Sequence, residues 1–341
     1  MSSPYILQIN FIIEQMNIYV ALVIFITGII GGLLNIIIFT SLKTFRRTSC
    51  GFYLTVTSIF NVGQTLSALS TRILDSGFSI NLTNVSWSCK IRTFVAQSCV
   101  LLSLTSMSLV TIDQFISMTR YKHFSNLRLA HRHIIISCCI WCFHGIFVFL
   151  YWDAPNGRCT SLISLGYEKY LSYFYLPVLL GCLPIFIMIT FSLLAFIKIR
   201  TLASRQINIV RLSRDRQLTA MALSQVAFTV FVSLPYTIFN IYNLNTVTTN
   251  QDEYARDQLI GTVTVLLYYE NFASSFYIFC CVSKRFRKQF IYVIFKIHLN
   301  WLRKLSNNLK SNQIAPSMEL SIDGRVGKAN VTIHDVSIQT S

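Results

Sequence analysis

The stretch CKIRTFVAQSCVLLSLTSMSLVTIDQF, from Cys89 to Phe115, decides the fold. Between Arg92 and Asp113 it carries no charged residue, yet it holds Ser98, Ser103, Thr105, Ser106, Ser108 and Thr111. As a helix from Cys89 to Asp113 it rises about 36 Å at about 1.5 Å per residue. That slightly exceeds a hydrocarbon core of about 30 Å, so the helix spans a bilayer with some tilt. Hydroxyls have no use on a face turned to lipid, whereas among other helices they hydrogen-bond and permit close packing. The segment reads as the central strut of a helical membrane bundle. The plainer alternative is an ordinary membrane helix with scattered serines.

The rest of the chain agrees with a bundle. Of its 341 residues 53% are hydrophobic and 12% charged, half the roughly 25% charge of a soluble domain. Apolar runs long enough to cross a membrane lie at about 18–40, 52–73, 91–118, 134–152, 171–199, 218–242 and 258–282. The expectation is an all-α, seven-transmembrane helix bundle (18–282) between a 17-residue outer N-terminus and two inner segments. Those are a short amphipathic surface helix (283–298), with Phe286 and Phe290 facing lipid, and a polar, disordered cytoplasmic tail (299–341). Residues 1–17 contain Glu14 and no basic cluster, so the first apolar run is expected to act as an uncleaved anchor.

Orientation follows from charge. With the N-terminus outside, most of the 29 lysines and arginines fall on the inner side. They include Arg46 and Arg47, Arg120 to Arg132, Lys198 to Arg216 and the region beyond 282. The net charge of +16 is then an orientation signal that also attracts anionic lipid. Nucleic acid is not needed to explain it. The sequons at Asn81 and Asn84 fall in an outer loop, open to glycosylation; the one at Asn330 lies in the inner tail. Ten cysteines lack metal-ligand spacing, and Cys138, Cys139, Cys142, Cys280 and Cys281 read as free, buried thiols. Cys89 and Cys159 both fall at the oxidising outer face, which favours a disulfide between them over two free thiols.

Seven helices, an outer N-terminus and a third helix bounded by a cysteine and an Asp-containing triplet resemble the rhodopsin-like class of G-protein-coupled receptors. The resemblance covers about 18–298. Asn35, Trp87, Trp141, Pro184 and Pro235 match family landmarks. The switch motifs are altered: Asn61 replaces an aspartate, the triplet reads Asp113-Gln114-Phe115, and SFYIF places Ser275, Phe276 and Phe279 in the seventh-helix motif.

The resemblance implies a G-protein switch built from Asp113, Gln114, Phe115, Ser275 and Phe279, with Asp215 at the foot of the sixth helix. Gln114 offers Asp215 a neutral hydrogen bond rather than a charge-assisted one, which weakens the resting lock and raises basal signalling, or else impairs coupling. It also implies a mid-membrane polar cluster of Asn35, Asn61, Ser103, Asn271 and Ser275, with little sodium dependence because Asn61 is neutral. Glu270 beside it either faces the bundle or is protonated. Pro184 and Pro235 kink their helices, as hinges or as static bends. The implied ligand pocket comprises Thr71, Arg72, Ala96, Gln97, Tyr236, Asn240, Val265 and Tyr269. Ala96 and Tyr269 stand where an amine receptor needs an aspartate and an opsin a lysine. Arg72 below an acidic rim (Asp252, Glu253, Asp257) suits a peptide, or else simply snorkels to headgroups. The expected partners are an extracellular ligand, a heterotrimeric G protein, arrestin on a phosphorylated tail, and the bilayer of the plasma membrane.

No enzyme signature appears and no cofactor is expected. A channel or transporter is the rival class, although neither charge rings, a filter loop nor an internal repeat is present. A non-signalling decoy of receptor descent is the third.

Overall fold

The computed structural model describes residues 4–298 except 81, 83, 158, 162–164, 204–208 and 247–249. Side chains at 43–44, 156, 165, 202–203, 209–216, 244–245 and 296–298 are likewise outside the description. Asn81, the side chain of Asp215 and the tail from 299 therefore lie outside the described residues.

Nearly every described residue is helical. The long segments are α1 (Pro4–Ser41), α2 (49–77), α3 (Ser86–Ser117), α4 (Leu127–Tyr151), α5 (Gly166–Thr201), α6 (Ile209–Asn245) and α7 (Gln251–Ala273). Short α8 (Ser275–Val282) and α9 (Lys284–Ile291) follow. Among the described residues five helices are long and apolar enough to cross a membrane: α1, α3, α4, α5 and, over Gln217–Asn243, α6. The pair α7–α8, bent by 61°, makes a sixth if taken as one span. The helix α2 has the length but not the composition. Asn61, Gln64, Thr57, Ser58 and Thr65 make it polar, and all five side chains are buried inside the bundle.

The strut reading holds: 72% of the most apolar window of α3 is buried, against 17% for α4. The helix α3 packs against α2, α4, α5 and α6, and Trp141 Nε1 on α4 donates to Thr105 Oγ1 on α3 at 2.9 Å. By contrast, α4 and α5 expose Phe143, Ile146, Phe186 and Leu193, apolar surface that water does not tolerate in such quantity.

Several boundaries differ from the sequence reading. The first helix begins at Pro4 rather than near 18, and its first turns pack on α7. Pro177, absent from the expected kinks, lies inside a wide-turned π stretch (Leu171–Cys182) that ends just before Pro184. A proline removes a backbone donor and its ring crowds the preceding turn, and wider turns relieve both. The α7–α8 bend contains no proline; it sits at Ser274-Ser275, a serine pair at which helices bend readily.

At one end of α3, Cys89 bonds to Cys159 with the Cα atoms 5.4 Å apart. The connection after α4 carries a hairpin of β1 (Trp152–Asp153) and β2 (Thr160–Ser161), paired antiparallel. The Ser86 hydroxyl and the Ala154 N–H hold the Asp153 carboxyl below its ordinary range. Of the eight free thiols only Cys50 is buried. Cys139, Cys142 and Cys281 are exposed on helix surfaces and Cys138 and Cys280 half-buried, which corrects their reading as core residues. Small thiols are equally at home on an apolar outer face.

Candidate functional site

Polar residues gather at three levels of the bundle. At the Cys89 end, Arg72 on α2 donates from Nε to Asn17 Oδ1 on α1 at 2.9 Å and from Nη2 to Thr262 Oγ1 on α7 at 3.4 Å. Tyr236 on α6 stacks on Tyr268 with ring centroids 4.7 Å apart, and Tyr268 meets Tyr269 edge-on at 6.5 Å. Asn240 turns back to the Tyr236 carbonyl at 2.8 Å. Thr71 is buried and donates to the Ser67 carbonyl one turn earlier. Gln97 is buried, while Ala96 and Val265 are half-buried and bring no polar group. The structure thus joins Tyr236 and Tyr269 through the ring of Tyr268, with Asn240 tied to Tyr236, while Arg72 is held by Asn17 and Thr262. Asn17, Thr262 and Tyr268 were missed by sequence. Asn17 sits in what reads as a terminal segment, and Tyr268 is hidden beside Tyr269.

The acidic rim has a local role. Asp252 and Glu253 occupy the first turn of α7, where negative charge complements the helix dipole. Asp257 is buried and lies 3.9 Å from Arg256.

At mid-bundle the expected cluster resolves into three pairs. Asn35 Nδ2 donates to Ser275 Oγ at 3.0 Å, Ser103 Oγ donates to Asn61 Oδ1, and Thr229 Oγ1 donates to Asn271 Oδ1 at 2.6 Å. They tie α1 to α8, α3 to α2 and α6 to α7. Asn61, Ser103, Gln225, Thr229, Asn271 and Ser275 line a cavity of about 20 Å³, room for one water. No lining residue is acidic. Gln225 and Thr229, one helical turn apart on α6, were missed. Glu270 does not face this cavity. It is half-buried on the stripe that exposes Ile260, Val263, Leu267 and Tyr277, and its carboxyl makes no hydrogen bond or ion pair with any described residue.

The third level is a cleft of about 430 Å³ at the other end of α3, lined by Ser49, Asp113, Gln114, Lys122, His123 and Leu218 among others. Asp113 is buried and accepts from Ser49 Oγ at 2.8 Å on both carboxylate oxygens. Ser49 opens α2, whose N-cap Thr48 accepts from the Gly51 N–H. The positive end of that helix and the hydroxyl take the place of a cationic partner for Asp113. Gln114 is buried and accepts at Oε1 from Thr219 Oγ1 on α6 at 2.7 Å. The observed link from the triplet to α6 therefore runs to Thr219, one turn beyond Asp215. Phe115 turns to Phe191 on α5, with centroids 5.8 Å apart.

Phe279 packs against Phe39 and Phe286. Phe286 is fully buried and Phe290 packs against Phe276, which corrects the expectation that both face lipid. Ser283 explains the turn: its Oγ accepts from the Phe286 N–H to cap α9 and from Gln217 Nε2 on α6. With the helix start fixed there, its aromatic face points at the bundle. Asn84 is exposed. No known protein family and no characterised protein matches the chain.

Proposed function

We propose that the chain is a seven-helix receptor of the plasma membrane that couples an extracellular ligand to a heterotrimeric G protein. In this reading α2 is the second span, its polar residues sheltered by its neighbours, and α7–α8 is the seventh, bent at Ser274. The Cys89 end faces outside, with Asn84 open to glycosylation. The Asp113 end faces the cytosol, α9 is the eighth helix beside it, and the tail receives arrestin.

The observation that carries the reading is the cleft at Asp113 and Gln114. It lies at the opposite end of α3 from the disulfide, and among the described residues a neutral bond, Thr219 to Gln114, ties its wall to α6 near the foot of that helix. Opening that bond and swinging α6 about Pro235 would enlarge the cleft for a cytosolic partner. The channel reading is weaker on two grounds. The mid-bundle cavity admits about one water, and Glu270 lies on the outward stripe rather than along a path.

The test records second messengers and membrane currents together in cells expressing the chain, challenged with peptide and small-molecule libraries. A messenger response without current is expected. Current without messenger would favour a channel, and binding with neither a decoy.

A further inference from the structure

Two guanidinium groups at the Cys89 end of the bundle, those of Arg72 and Arg92, form no ion pair with any described residue. Arg72 uses two of its five N–H donors, both on neutral acceptors: the Asn17 carboxamide, 1% exposed, and the Thr262 hydroxyl. Among the described residues no acid comes within 4.0 Å of it. Asp75, nearly one turn further along α2, makes no ion pair with it, and Glu14, nearly one turn before Asn17, is exposed. Arg92 on α3 is the second guanidinium, its Nε buried without an acceptor. Both arginines lie within electrostatic range of the Tyr269 phenol, and Arg72 also of Tyr236.

Unpartnered groups of both polarities lie nearby: Asp75 Oδ1 is a buried acceptor without a partner, and two groups able to donate stand in the same position. The Tyr268 hydroxyl, on a side chain 4% exposed, has no partner, and neither has Gln97 Nε2 on a side chain 7% exposed. A buried donor left without an acceptor is costly, and a buried cation without a counter-charge more so. A ligand that relieves both is an anion with several acceptor oxygens.

We propose that Arg72 anchors a small organic carboxylate, which displaces the Asn17 amide oxygen and pairs with the guanidinium through two parallel N–H···O bonds. A planar guanidinium suits a carboxylate in this bidentate way. Arg92 supplies the second positive charge, and the tyrosine phenols Tyr236, Tyr268 and Tyr269 supply donors and an aromatic wall. The carboxylate belongs either to a free acid or to the C-terminus of a short peptide. The inference names the ligand class for the receptor reading above and rests on it for the signal, though not for the binding.

The test uses the purified full chain in phosphatidylcholine nanodiscs and follows its thermal midpoint. The probes are acetate, butyrate, succinate and benzoate beside their methyl esters, and free-acid dipeptides beside their C-terminal amides. At least one acid is expected to raise the midpoint where its ester or amide does not. Whether that acid is a simple one or a dipeptide identifies the source. Arg72→Gln should weaken its binding roughly 10- to 100-fold, the range of one charge-assisted pair.

Asn17→Asp keeps the test sound if that variant fails to fold. It places a permanent carboxylate on the Arg72 Nε, so it should raise the midpoint without ligand and abolish the response to acids. Esters as effective as acids, no active acid in the panel, or an Asn17→Asp protein that binds acids as before would overturn the proposal. Acids that stabilise the chain while second messengers stay flat would sink the receptor reading and leave this one standing. A messenger response to an uncharged ligand, unchanged in Arg72→Gln, would do the reverse.

Discussion

Thr219 and Gln114 are the residues on which the resting state of the proposed switch turns. Their hydrogen bond is buried and neutral, so its net worth is about 1 kcal/mol rather than the roughly 1.5–3 of a charge-assisted contact. Thr219→Val keeps the shape and removes the donor. If the bond holds α6 closed, basal second-messenger production should rise about 5-fold, the population shift that about 1 kcal/mol gives. Basal output equal to the parent's would show that the bond is not part of the lock. Gly51 makes a second, structural point. A Cβ there would stand 2.3 Å from the Phe45 carbonyl oxygen, a backbone atom that cannot rotate aside. Gly51→Ala should therefore cost on the order of 1–3 kcal/mol, read as a lower thermal midpoint. It should also displace Ser49, two residues earlier, from Asp113. The importance of Thr219 and of Gly51, unlike that of Gln114, is not legible in the sequence, because each depends on which atom another segment brings alongside.

What sequence does specify is the set of elements. Runs of apolar residues placed α3, α4, α5 and the apolar part of α6, because length and hydropathy are additive along a chain, but α3, α4 and α5 start five to seven residues earlier than the apolar runs do. The start of α1 at Pro4 and the Ser274 bend escaped, since one depends on packing against α7 and the other on hydroxyls rather than on proline. Of the candidate site, Arg72, Tyr236 and Tyr269 were legible by their positions on predicted helices. Their partners Asn17, Thr262 and Tyr268 were not, being set by how the helices rotate against one another.

Helix α7 carries its own prediction. Glu270 interrupts an outward stripe of Ile260, Val263 and Leu267, and a charged acid at mid-span costs about 2.5–3.5 kcal/mol on insertion scales. Glu270→Leu should let α7 insert more completely in a glycosylation-mapping assay, with ligand response unchanged. Unchanged insertion would mean that the acid is already neutral or shielded. The disulfide makes a comparable claim for the loop it closes. Cys159→Ser releases a sequence separation of 70 residues, worth up to about 4 kcal/mol by chain entropy. Reductant should therefore lower the thermal midpoint of the parent and not that of the variant.

For the molecule as a whole the governing question is which end faces the cytosol. The disulfide, the hairpin and exposed Asn84 sit at one end of α3. The cleft at the other end is lined by Arg47 and Lys122. Disulfides persist on the oxidising side of a membrane and basic residues are retained on the cytosolic side, and both arguments support the orientation proposed above. The proposed seven crossings would put a tag placed before Met1 outside and one placed after Ser341 inside. Antibody should stain the first on intact cells and the second only after permeabilisation. Staining of both on intact cells would mean an even number of crossings. The polar α2 or the bent α7–α8 pair would then lie outside the membrane-spanning set, and the receptor reading would fall with it.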